Sequence, residues 1–203
     1  MKIALVRHGE TEWNRARRYL GCATDQPLTE SGAAALSPAN FAPDRLVVSP
    51  MQRARQTAAL LFPQVKPFAE EPRLREMDFG VFEGRSAAEM AEDPDYAAWL
   101  DTLCEGVCPG GESRAQFAQR CRDGFADAVE SALKDGVETL AVVAHGGTLM
   151  AVLSAFARPK QDYFSWQAEN GCGWLCETDA QTWRADRAMQ LLCALNCRKS
   201  GNA

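Results

Sequence analysis

Three short apolar runs, at residues 2–6, Arg45–Val48 and Thr139–Ala144, each stop at a charged or small polar residue, and an amphipathic helical pattern follows each one. An apolar run of that length handing over to a helix reads as a β-α unit, and three such units predict an α/β fold around a mostly parallel sheet. The expected architecture is a three-layer α/β/α sandwich. The polar residues gather where the strands end: Arg7-His8-Gly9, Ser49-Pro50 and His145-Gly146-Gly147. In open α/β sheets ligands bind at that edge, beside helix N-termini whose free N–H groups and dipoles favour anions. One anion site is expected there.

The rest of the chain fits this plan. The first helix is expected from about Glu12. The second is expected through MQRARQTAALLF, with Ser49 as its N-cap and Pro50 at its first position, and the third through TLMAVLSAFA. Residues 112–134 carry a helical pattern, and 173–177 and 190–195 read as late strands. The stretch 79–112, with aromatics, acids and the loop-forming CPGGES, reads as a cap or lid. The expectation is one domain over 1–203 with a cap insertion around 77–112 and a frayed tail RKSGNA.

With 203 residues, 46% of them hydrophobic, the chain can bury a substantial core. A formal net charge of -5 and the lack of a Lys/Arg cluster argue against broad nucleic-acid binding, so an anionic substrate must be drawn to a local basic pocket. The apolar start is too short for a signal-peptide core or a membrane span, and a cytoplasmic protein without membrane partners is expected. The eight cysteines lie in a chain of enzyme size without an export signal, and free thiols are expected. Cys104 and Cys108, Cys172 and Cys176, and Cys193 and Cys197 are each four apart. That spacing suits small buried side chains better than ligation, and none forms a CxxC knuckle.

His8 and His145 are the only histidines, and each follows an apolar run and precedes glycine, which one shared site explains economically. Arg7 adjoins His8, and Arg53 lies one turn into the second helix. Guanidinium forks match phosphate oxygens, so both arginines with a cationic His145 would hold a phosphate dianion. Alone, either arginine would read as a solvated surface residue. Two histidines this far apart, with no HExxH or aspartate-rich cluster, make a poor metal set, and no P-loop is present. Neither a metal nor another cofactor is expected.

LVRHGETEWN at 5–14, Gly21 with PLTESG at 27–32, SPMQRARQT at 49–57, LREMDFGVFEG at 74–84, PGGES at 109–113 and VVAHGG at 142–147 together resemble the histidine phosphatase superfamily. That family also contains the cofactor-dependent phosphoglycerate mutases. The resemblance implies that His8 becomes phosphohistidine and that Glu76 first donates a proton to the departing oxygen and then activates water. It also implies that Arg7, Asn14, Gly21, Arg53, His145 and Gly146 surround the transferred phosphate of a small-molecule phosphate monoester. A nucleophile that must be neutral and an acid that must be protonated predict a bell-shaped pH profile.

The resemblance further implies that mutases carry extra basic residues in a longer insert. Here residues 77–112 hold only Arg85 against nine acids, which favours hydrolysis over a second phosphate. Phe79, Phe82, Tyr96 and Trp99 in this stretch read first as core, with stacking on a ring-bearing leaving group as the alternative. The short insert, FGVFEG and NGCGWLCETD resemble the alpha-ribazole phosphatases within the family. Broad-specificity and sugar (bis)phosphatases share the same blocks and stand as the alternative; a mutase or a noncatalytic phosphate-binding domain fits less well. A homodimer is compatible with the sequence, which does not determine assembly.

Overall fold

The computed structural model describes residues 1–66 and 68–199. Seven strands form one sheet: β1 (Lys2–Arg7), β2 (Arg45–Val48), β3 (Ala69–Glu70), β4 (Thr139–Ala144), β5 (Ala157–Arg158), β6 (Cys172–Glu177) and β7 (Met189–Asn196). Their order across the sheet is β3-β2-β4-β1-β6-β7-β5. β1 pairs in parallel with β4, as do β2 with β4, β3 with β2 and β5 with β7, while β6 runs antiparallel to both β1 and β7. The sheet is therefore parallel except for β6, as the repeated β-α units predict.

Among the described residues seven α-helices accompany it: α1 (Glu12–Arg15), α2 (Glu30–Ala34), α3 (Gln52–Leu61), α4 (Pro94–Asp101), α5 (Arg114–Lys134), α6 (Gly146–Phe156) and α7 (Ala180–Asp186). Alternation along the strands sorts the side chains between two faces. Ile3, Leu5, Leu140 and Val142 pack with Phe117, Phe125 and Val129 of α5 and Leu149, Val152 and Phe156 of α6. Ala4, Val6, Leu46, Val48, Ala141 and Val143 pack with Ala54, Ala58 and Leu61 of α3. Helices thus cover both faces, which makes three layers. The segment 77–112 holds a 3-10 turn at Gly80–Phe82 and α4, and its Met77, Phe82, Met90, Tyr96, Trp99 and Cys108 bury into the α5/α6 side of the core.

Three local expectations change. The helix after β1 is only four residues long, and Arg17 just beyond it sits at φ 53°, in the left-handed region that ends a helix. Ser49 and Pro50 precede α3 and do not open it: that helix begins at Gln52 behind Met51 with no side-chain cap, and the Ser49 Oγ, bonded to His145, also accepts from the Met51 N–H at 3.4 Å. The tail holds to residue 199, with Arg198 bridging Leu36 and the Lys199 N–H donating to Ala35; the remaining Ser200–Ala203 of the expected frayed tail lie outside the described residues. All eight cysteines are free thiols, and burial pushes those of Cys108, Cys121 and Cys176 up to about 12.

Candidate active site

Because β1, β2 and β4 are parallel neighbours, their C-terminal ends deliver His8, Ser49 and His145 to one edge. The His8 N–H donates to Ala144 at 2.9 Å and the Ser49 N–H to Val143 at 3.0 Å, so the sheet ladder itself sets this register. The His8 and His145 rings meet edge to face with centroids 5.2 Å apart.

Each histidine's tautomer follows from its partners. The His8 Nδ1 lies 2.7 Å from the Gly9 carbonyl, which can only accept, so Nδ1 carries the proton and Nε2 keeps its lone pair. Nε2 has no hydrogen-bond partner among the described residues, and His8 as a whole is only 3% exposed. For His145, the Arg53 Nε–H donates to Nδ1 at 3.2 Å, so its Nε2–H donates to Ser49 Oγ at 2.7 Å. Burial, and then the charges of Arg53 and other neighbours, hold both rings well below the usual histidine range. His145 is therefore a neutral imidazole here, not the cation expected from sequence.

The two arginines differ in access. Arg7 donates through Nη1 to the Ala168 carbonyl at 2.8 Å, while its buried Nε has no partner, an orphan donor close to the space above Gly146. Arg53 is fully buried and spends its guanidinium on His145 Nδ1, the Thr24 carbonyl and the Gly21 carbonyl at 2.8 Å. Gly21 thus sits behind Arg53 rather than on the cavity wall where the substrate was expected to meet it. No side chain fits there, since a Cβ would stand 2.2 Å from the Met77 carbonyl.

Glu76 lies on the loop facing the start of α6. Its Oε1 accepts from the Met77 N–H and its Oε2 from the Gly147 N–H, both at 3.0 Å. Burial pushes its carboxyl above the usual carboxylate range, against those N–H bonds and the charges of Arg53 and Arg7. Asn14 caps α1 reciprocally with Thr11 and accepts from Asn170 Nδ2 at 3.0 Å. Asn170 also donates to the carbonyls of His8 and Gly9, tying the His8 loop to Asn14.

A cavity of about 560 Å³ opens here, walled by Arg7, Asn14, Arg18, Glu76, Gly146 and Gly147. A second chamber of about 250 Å³ shares Glu76, Phe79, Gly147 and Met150 with it and is walled beyond them by Trp99, Tyr163 and Phe164. Of the four aromatics weighed from sequence, Phe82, Tyr96 and Trp99 are core, and Phe79 and Trp99 border this chamber. Arg18, Met150 and Tyr163 were not foreseen, since nothing local marks them. Thr57, Glu83 and Asn170 lay inside quoted blocks but were assigned no part. The Thr57 hydroxyl accepts from the Gly9 N–H and donates to the Arg53 carbonyl, and Glu83 accepts from the N–H groups of Gly21 and Thr24. Among the described residues no group of three or more His, Cys, Asp or Glu side chains gathers as a metal site, and no helix is long and apolar enough to cross a membrane.

The arrangement can offer an unprotonated imidazole nitrogen, together with an arginine with spare donors and a buried acid that line one cavity. The chain is 33% identical over 187 residues to the adenosylcobalamin/alpha-ribazole phosphatase of Salmonella typhimurium, covering 85% of this chain and 88% of that protein. It is 32% identical over 164 residues to a probable phosphoglycerate mutase of an Enterobacter species, covering 76% and 74%. Among solved structures, the alpha-ribazole phosphatase of Shigella flexneri aligns over the full length of both chains with a TM-score of 0.81 at 25% identity. A phosphoglycerate mutase of Thermus thermophilus covers 96% of this chain and 98% of its own at 0.67 and 33%. Residues 3–190 match the histidine phosphatase superfamily (branch 1), and this chain, a phosphatase, belongs to that family.

Proposed function

We propose that the protein is a metal-independent phosphomonoesterase that works through a phosphohistidine on His8, with alpha-ribazole phosphate as its substrate. The observation that carries this reading is the His8 ring: its Nδ1–H is tied to the Gly9 carbonyl, which leaves the Nε2 lone pair without a hydrogen-bond partner, next in sequence to Arg7, a residue of the cavity wall. In the first step Nε2 forms a bond to phosphorus and the bond from phosphorus to the ester oxygen breaks. The proton on the Glu76 carboxyl goes to that departing oxygen. In the second step the Glu76 carboxylate takes a proton from water, the hydroxide oxygen bonds to phosphorus, and the P–N bond breaks to return His8 neutral. Arg7 meets the phosphoryl oxygens directly, and Asn14 and the α6 N-terminus add neutral donors. Arg53 and His145 act from behind, as buried charge and ring support, and a dianion in the cavity favours protonation of His145.

The substrate reading rests on the second chamber. Glu76 stands where the two cavities join, so a phosphate held by Arg7 directs its leaving group toward Phe79, Met150, Tyr163 and Phe164. That wall suits a flat nucleoside-like alcohol better than a small sugar. The relatives named alpha-ribazole phosphatase agree with it, and the nine acids against one base in 77–112 oppose a bisphosphorylated ligand. The 77–112 segment, read as a cap insertion of a single domain, supplies Phe79 and Trp99. The test is kcat/KM, in excess chelator, for alpha-ribazole phosphate, sugar phosphates and phosphoglycerates, with a mutase assay alongside. Selective hydrolysis of alpha-ribazole phosphate is expected. Preference for phosphoglycerate transfer, or activity restored only by one divalent metal, contradicts it.

A further inference from the structure

The loop that carries Glu76 has no regular secondary structure between Arg75 and Asp78, so its shape depends on where its backbone groups find partners. All six successive carbonyls from Arg73 to Asp78 are engaged. Leu74 accepts from the Thr148 hydroxyl at 3.2 Å, Met77 from the Cys22 N–H at 3.2 Å and Asp78 from the Glu112 N–H at 3.0 Å. The other three belong to one side chain. Arg120, on α5, donates through Nη1 to the carbonyls of Arg73 at 2.8 Å and Arg75 at 2.7 Å, and through Nη2 to that of Glu76 at 2.8 Å.

The guanidinium is itself aimed. Its Nε donates to Glu112 Oε2 at 3.1 Å and its Nη2 to Glu112 Oε1, and it lies over the Phe117 ring at 5.0 Å. Glu112 also accepts from the Asp78 N–H at 2.9 Å, so the Arg120–Glu112 pair closes a clamp on both ends of the acid's loop. Neither residue borders the two cavities, so neither touches substrate.

We infer that Arg120 is the positioning residue for the proton donor of the reaction, working through Glu76 with Glu112 as its orienting partner. This rests on the phosphatase reading above. A planar fork with five donors can serve three carbonyls and a carboxylate together, which a lysine ammonium cannot do. The clamp fixes the Glu76 backbone, and the Met77 and Gly147 N–H groups then fix its carboxyl. Loosening it displaces the proton donor, and a displacement of about 1 Å costs on the order of a hundredfold in rate.

The experiment compares Arg120→Ala, Arg120→Lys, Glu76→Gln and the Arg120→Ala/Glu76→Gln double variant on an alkyl phosphate monoester and on p-nitrophenyl phosphate, whose leaving group departs without a proton. Arg120→Ala is expected to lower kcat/KM, which reports phosphoryl transfer to His8 and not the shared hydrolysis of the phosphohistidine, about 10- to 100-fold on the alkyl ester, with little loss of kcat/KM on p-nitrophenyl phosphate. Arg120→Lys recovers only part of the loss, and the double variant is no slower than Glu76→Gln alone. Equal losses on both esters, or losses that multiply in the double variant, overturn the inference while leaving the phosphatase reading intact. If Arg120→Ala does not fold, Glu112→Gln, which keeps the guanidinium and weakens its tether, carries the same test: a smaller loss confined to the alkyl ester supports the clamp, and equal losses overturn it. No turnover of either ester by the wild type would instead sink the phosphatase reading.

Discussion

At the scale of single residues, the site is set by burial acting in opposite senses on an imidazole and a carboxyl. In the proposed mechanism His8 attacks unprotonated, and with its pKa held down activity is expected to fall as pH drops through that lowered value; Glu76 would work protonated, and with its pKa held up activity is expected to fall as pH rises through it. Glu76→Gln is expected to lower kcat on an alkyl phosphate roughly 10²- to 10⁴-fold and to remove the basic limb of the profile while the acid limb stays. An unchanged basic limb in that variant contradicts the assignment. The same burial has a stability consequence. The unfolded chain protonates both histidines near pH 6.5 while the folded chain keeps them neutral, so their contribution is full above about pH 6.5 and lost as pH falls toward the folded values. Urea melts between about pH 7 and pH 5 should therefore show a shallower loss of stability in His8→Gln than in the wild type. The positions of His8, Arg7, Arg53 and Glu76 were legible in sequence because they fall in recognisable blocks at strand ends. The neutrality of His145 was not, since it depends on Ser49 and Arg53 meeting it across 96 and 92 residues of chain.

At the scale of elements, the three β-α units were readable because an apolar run followed by helical periodicity needs no tertiary information. What periodicity missed is short or held by distant partners. β3 and β5 are two residues each, and α1 stops after four. The turn at Gly80–Phe82 depends on Gly80, which takes φ 51° with its Cα close against the 109–111 loop; a Cβ there would lie 2.1 Å from the Pro109 carbonyl. Gly80→Ala thus meets both backbone strain and a rigid neighbour, and is expected to cost about 2–4 kcal/mol in equilibrium unfolding. A cost near zero would mean that this turn is not the tight junction described. Because Phe79 precedes Gly80 and borders both cavities, the same substitution is expected to raise KM for an aromatic ester.

For the whole molecule, the sheet edge joins residues from positions 7 to 147 into one cavity, and in a chain with a net charge of -5 that cavity has Arg7 and Arg18 on its wall to draw an anion. Fold and catalytic edge follow from sequence because topology collects strand ends. The second chamber does not, since Tyr163, Phe164 and Met150 meet Phe79 and Trp99 only after α5 and α6 pack on the sheet. The most direct test of the central claim is rapid acid-free quenching during turnover of a radiolabelled phosphate ester in excess chelator, followed by peptide mapping, with His8→Ala in parallel. A base-stable, acid-labile phosphate on the peptide containing His8, absent with turnover in the variant, is the expected result. Undiminished turnover by His8→Ala, or label on another residue, would contradict the account.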